Sequence, residues 1–158
     1  FKHIAYEMLS GEVLVGGEES GGVGFGMHLP ERDALFAALI LLESLVEGEM
    51  PLGQRLVSLF GPFGGSNFYD RIDLRLADMS SRNRLEALLD TTPPTKVANY
   101  KVQEVIRTDG LKLRFENGFW VMFRFSGTEP LLRLYCEGPN EETVREVLTW
   151  ARQLAEHT

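Results

Sequence analysis

The chain has 158 residues, with 16 lysines and arginines against 23 aspartates and glutamates, a formal net charge of −7. At 44% apolar and 25% charged residues it can bury a core, which excludes wholesale disorder, and its acidity argues against nucleic acid or an anionic membrane as the main partner. One cysteine, Cys136, allows neither an internal disulfide nor a cysteine-rich zinc site and fits a reducing, cytoplasmic setting, while the longest uncharged apolar run, residues 34–42, is too short to span a bilayer.

In chain order, residues 1–9 already read as a helix, with Ile4, Met8 and Leu9 at helical spacing. A chain that opens inside an element reads as part of a longer polypeptide. A short strand is expected over residues 13–16, followed by a glycine loop that runs to Gly24. Pro30-Glu31-Arg32-Asp33 opens a helix reaching about Glu47, with its acidic residues where the helix dipole favours them. That helix is apolar on nearly every face as far as Glu43, so the pattern predicts that it is buried, against strands expected upstream of Phe1.

Glycine and charge divide the chain. Residues 1–66 hold 12 of the 16 glycines and carry 3 basic against 9 acidic residues, whereas residues 67–158 hold 4 glycines and carry 13 basic against 14 acidic residues. The glycine-rich stretch 61–67 reads as a linker and hinge. Two domains are therefore expected, residues 1–66 and residues 67–158. In the second, a strand over 71–76 precedes a helix over 81–89, which Pro93-Pro94 ends. Strand patterns over 97–107 and 111–115 flank the turn Thr108-Asp109-Gly110, and further strands follow over 119–125 and 131–135. Asn140 starts an amphipathic helix through Val144, Val147, Leu148 and Leu154. The predicted fold class is a partial α/β sandwich domain followed by an α+β domain, the latter a four-to-five-stranded antiparallel sheet with two helices.

Two loops carry residue types suited to binding. In Gly16-Gly17-Glu18-Glu19-Ser20-Gly21-Gly22-Val23-Gly24, two carboxylates and a hydroxyl suit the vicinal hydroxyls of a sugar, because carboxylate oxygens accept strong hydrogen bonds. Acidic residues at its centre would repel a pyrophosphate, so a dinucleotide loop is disfavoured. A surface turn with solvated acids is the competing reading. In Arg124-Phe125-Ser126-Gly127-Thr128-Glu129-Pro130, two hydroxyls, a glycine that lets N–H groups converge into a nest, and a guanidinium suit a phosphate. Arg133 joins the same face if the next strand starts after Pro130. An ordinary hairpin turn with exposed arginines is the competing reading here.

Elsewhere, His3, His28 and His157 show no metal-ligand spacing and no serine–acid partners, and Cys136 reads as a buried small hydrophobe. His28 is close enough in sequence to the glycine loop to reach a ligand, although a surface or capping role is the simpler reading. No nucleophile, base and metal site occur together.

The two loops, together with the opening Phe1-Lys2-His3, the segment Pro30-Glu31-Arg32-Asp33 and the run Arg133-Leu134-Tyr135, resemble the α-D-phosphohexomutase family of phosphoglucomutases and phosphomannomutases. The resemblance covers essentially the whole chain and implies the end of the family's third domain followed by its fourth. It implies sugar contacts from Glu18, Ser20 and Arg32, and phosphate contacts from Arg124, Ser126, Gly127, Thr128 and Arg133. It further implies a phosphosugar substrate, upstream domains of the same chain as partners, and two-step phosphoryl exchange through a phosphoserine and a hexose 1,6-bisphosphate. Mg²⁺ and the phosphoserine would be held by those upstream domains, leaving this chain inactive alone. The sequence departs from many relatives at Gly22 and at Ala34. A phosphohexosamine mutase and a non-catalytic phosphosugar-binding module are the alternatives.

Overall fold

The computed structural model describes residues 1–48, 50–63 and 67–157. The chain divides into two compact units, Phe1–Phe63 and Gly64–Thr158.

In the first unit, α1 (Lys2–Ser10) precedes a two-stranded antiparallel hairpin of β1 (Val15–Gly17) and β2 (Val23–Phe25), followed by α2 (Ala34–Glu47) and α3 (Leu52–Phe60). Much of the expected glycine loop is thus strand, with Gly17 pairing Val23 and Gly16 pairing Gly24. Asp33 caps α2, its carboxylate accepting from the N–H groups of Leu35 and Phe36, each at 3.0 Å. That side-chain acceptor satisfies donors that the first helical turn leaves without partners. The expectation that α2 is buried is not met: none of its residues is buried, and Leu35 and Val46 are 81% and 84% exposed. The only sheet among the unit's described residues is a two-stranded hairpin, too little surface to cover an all-round apolar helix.

Helix α3 was not anticipated from the sequence, where the glycines at 48, 53 and 61 break up its apolar pattern. A 3₁₀ turn over Gly61–Phe63 follows it, so the expected linker begins as helical backbone. Residues 64–66 of that linker lie outside the described residues.

The second unit has one antiparallel sheet in the order β3-β8-β7-β6-β5-β4. Its strands are β3 (Phe68–Arg75), β4 (Lys96–Val97), β5 (Tyr100–Ile106), β6 (Leu111–Phe115), β7 (Trp120–Phe125) and β8 (Leu131–Gly138). Six strands replace the expected four or five. Ala98 takes a left-handed φ of 48° and turns Lys96–Val97 back onto Tyr100 and Lys101, splitting off β4. Helices α4 (Met79–Thr91) and α5 (Glu141–Glu156) complete the unit.

Period-two alternation sends one set of side chains to each face of this sheet. Leu132, Leu134 and Cys136 of β8, Val121 and Phe123 of β7, and Leu111, Leu113 and Phe115 of β6 are all buried in one cluster. Leu85 and Leu89 of α4 join it, as do Val144, Val147, Leu148 and Ala151 of α5 at helical spacing. Each large side chain fully buried here stabilises the fold by roughly 1.5–3 kcal/mol. The opposite face carries Arg71, Asp73, Arg124, Arg133 and Trp120, all outside the core. Both helices are capped by side chains: Asp78 accepts from Ser81 N–H at 2.7 Å, and Asn140 from Thr143 N–H at 2.9 Å.

Candidate functional site

The first candidate site lies at the β1–β2 hairpin. Glu18 N–H donates to Gly22 C=O at 2.9 Å and Gly21 N–H donates to Glu18 C=O at 3.0 Å, closing a tight loop over Glu19 and Ser20. Gly21 has a φ of 88°, the left-handed conformation that a three-residue hairpin loop requires after its turn. Ser20 therefore sits exposed at the tip.

Glu18 and Arg32 meet: Arg32 Nη1 lies 3.3 Å from Glu18 Oε2. The other Glu18 oxygen lies against the Phe1 nitrogen. Arg32 also binds Glu31 through Nε at 3.1 Å and lies over the Phe1 ring. Gly22 makes room for it, since a Cβ at that position would stand 2.6 Å from Arg32 Cδ. His28 is engaged within the unit, with Nε2 2.9 Å from Asp33 Oδ2 and its ring stacked on Phe36 at 4.3 Å.

The second site is at the end of β7 and β8. Arg124 and Arg133 are direct cross-strand partners, so both side chains leave the same face of the sheet. Asp73 stands opposite Arg133 on β3. Arg124 Nη2 reaches Asp109 Oδ2, in the turn between β5 and β6, at 3.1 Å. Ser126 N–H donates to Leu131 C=O at 2.9 Å and closes the hairpin, while Thr128 N–H reaches Ser126 Oγ at 3.4 Å. Beneath the loop, Arg82 Nε donates to Ser126 C=O at 2.9 Å.

Gly127 does not take a left-handed φ, and neither do Ser126 and Thr128. A Cβ at Gly127 would meet nothing within 4 Å. The glycine leaves the loop's outer side open. The structure thus joins Arg124, Arg133, Ser126, Gly127 and Thr128 at one end of the second unit, and Glu18, Ser20 and Arg32 on one hairpin of the first.

Burial pushes the Cys136 thiol up to about 12, which excludes it as a nucleophile near neutral pH. Among the described residues no group of three or more His, Cys, Asp or Glu side chains could hold a metal ion. No described helix is long and apolar enough to cross a membrane. A cleft of about 680 Å³, lined by Asn67, Tyr100, Asn117, Phe119 and Pro139 among others, lies at the opposite end of β7 and β8 and is separate from the loop.

Residues 1–63 match the family model for phosphoglucomutase/phosphomannomutase α/β/α domain III, and residues 82–152 match that for the phosphoglucomutase/phosphomannomutase C-terminal domain. The chain belongs to the phosphoglucomutase/phosphomannomutase family. It is 31% identical to a phosphoglucomutase from Rhizobium radiobacter over 94% of its own length and 31% of the relative's. It is 31% identical to a phosphoglucosamine mutase from Desulfovibrio desulfuricans over 90% of this chain and 26% of the relative. A solved structure from Thermus thermophilus, named for phosphomannomutase, superposes with a TM-score of 0.73 at 34% identity, over 98% of this chain and 29% of that one. The chain therefore spans about a third or less of the length of these relatives.

Proposed function

We propose that this chain supplies the sugar-reading and phosphate-holding surfaces of a phosphohexomutase that interconverts hexose 1-phosphate and hexose 6-phosphate, with glucose as the first candidate sugar and mannose as the second. The observation that carries the reading is the direct pairing of Arg124 with Arg133 beside the Ser126–Thr128 hydroxyls. Like charges placed opposite each other across strands are destabilising, and a phosphate dianion between them turns that repulsion into two charge-assisted hydrogen bonds. Ser126, Gly127 and Thr128 offer further donors to the same anion. On the first unit, Glu18 and Ser20 accept from and donate to sugar hydroxyls, with Arg32 held beside them.

A fixed phosphate grip and hydroxyl contacts usable in two orientations would present C1 and C6 alternately to one nucleophile. Phosphoryl transfer depends chiefly on such positioning and on charge neutralisation. On this reading the phosphoserine and the Mg²⁺ site belong to the part of the relatives that this chain does not span, and the chain alone is inactive. The relative from Desulfovibrio supports a phosphohexosamine mutase as the second reading.

The test is a titration of the ¹⁵N-labelled chain with glucose 1-phosphate, followed by its amide resonances. Shifts at 126–128 that vanish in Arg124→Ala are expected. Shifts that persist unchanged in that variant, or no shifts at 126–128 in the folded chain, would reject the assignment of the phosphate loop. Parallel titrations with mannose 1-phosphate and glucosamine 1-phosphate rank the sugars through the response of Glu18 and Ser20.

A further inference from the structure

Arg82 lies on α4, 44 residues before the loop it touches. Its guanidinium is engaged on every side. Nε donates to Ser126 C=O at 2.9 Å, Nη1 donates to Glu86 Oε2 and Asn83 Oδ1 at 2.7 Å each, and Nη2 reaches Glu86 Oε1 at 3.4 Å. The group also sits over the Phe125 ring, 5.5 Å from its centroid. Its side chain is 14% exposed, whereas Arg124 is 44% exposed and Arg107 41%. Glu86 balances its charge, so it contributes geometry to the loop more than potential.

We propose that Arg82 is a positioning residue for the phosphate loop: by pinning the Ser126 carbonyl it aims the Gly127 N–H outward at the bound anion. The proposal rests on the reading of 126–128 as a phosphate site. Its physical basis is the planarity of the peptide unit. Ser126 follows the last residue of β7, and its carbonyl bonds to Arg82, not to a rung of the β7–β8 ladder. In a trans peptide the C=O and the next N–H point in opposite directions, and the chain contains no cis peptide bond among the described residues. Holding Ser126 C=O toward α4 therefore turns Gly127 N–H away from that helix. Donors fixed before the ligand arrives need no reorganisation on binding. Only arginine can do this here, because a lysine nitrogen cannot bond the carbonyl, chelate Glu86 and stack on Phe125 at once.

The test uses the full chain as Arg82→Lys, which keeps the charge and loses the fork, with Arg124→Ala as the control for the site and inorganic phosphate as the probe. The expected result has three parts. The melting temperature of Arg82→Lys stays close to that of the unsubstituted chain, the Gly127 and Thr128 amide resonances move without ligand, and phosphate binds on the order of tenfold more weakly. Glu86→Gln, which loosens one arm of the fork, falls between the two. Phosphate affinity unchanged in Arg82→Lys, or loop amides left in place, would overturn the proposal, as would a loss of affinity matched by melting of the whole sheet. If phosphate fails to move residues 126–128 of the unsubstituted chain, the phosphate reading itself falls, and the ligand-free amides in Arg82→Lys still decide whether Arg82 sets the loop.

Discussion

Arg124 is held by Asp109 across a 3.1 Å ion pair in which both side chains are more than two-fifths exposed. A solvated pair of this kind is weak, so an arriving phosphate can displace the carboxylate. If Arg124 holds a phosphate as proposed, Asp109 competes with that anion for its guanidinium. Asp109→Asn is expected to tighten phosphate binding by about two- to fivefold at low ionic strength, the range a surface ion pair spans, with the gain shrinking as salt rises. Isothermal titration with inorganic phosphate checks it, and weaker binding in the variant would mean that Asp109 orients Arg124 instead of competing for it. That Arg124 and Arg133 share one face was legible from the strand start after Pro130. The approach of Asp109 was not, because a Thr-Asp-Gly turn is explained by its backbone alone and nothing in the linear pattern aims its side chain at Arg124.

Helix α4 shows what a single cap does for an element. Asp78 accepts from Ser81 N–H, and that bond holds its carboxyl below the ordinary value of 3.8. A group depressed on folding contributes stability above its unfolded pKa and loses that contribution as the pH falls through its folded one. The melting temperature of the chain should therefore exceed that of Asp78→Asn at pH 7, with the gap closing as the pH drops below about 4. An equal gap at pH 7 and pH 3 would sink this assignment. Because α4 also carries Arg82, fraying of its first turn should disturb the loop at 126–128 as well. The helix itself was legible in its leucine spacing, whereas its hold on a loop 44 residues away was not.

The two units differ as whole structures. Every buried hydrophobic side chain among the described residues lies between Leu76 and Ala155, so the second unit contains the core. Removing one of its fully buried side chains, as in Leu134→Ala, is expected to cost about 2–5 kcal/mol, seen as a lower denaturation midpoint. Leu42→Ala on α2, where Leu42 is 56% exposed, should change the stability of this chain by less than about 0.5 kcal/mol. Hydrogen exchange should likewise protect β6, β7, β8 and α5 strongly and α1, α2 and α3 weakly. Uniform strong protection over residues 1–60 would contradict it.

The boundaries and kinds of most elements followed from periodicity and capping residues, because helices and strands impose their own spacing on apolar side chains. So did the family, through two loops whose chemistry is carried by a few contiguous residues. Other features depended on groups distant in sequence. The β4 edge strand needs the left-handed Ala98, and β2 forms only because Gly16 and Gly17 have a partner to pair with. The apolar face of α2 states a demand for burial but not whether anything meets it. Likewise, the pairing of Glu18 with Arg32, the hold of Asp109 on Arg124 and the reach of Arg82 to Ser126 join residues 14, 15 and 44 positions apart. Local sequence sets a residue's backbone preference and its face. Which charged group ends up within hydrogen-bonding reach of another is decided by strand register and helix packing, which belong to the folded chain as a whole.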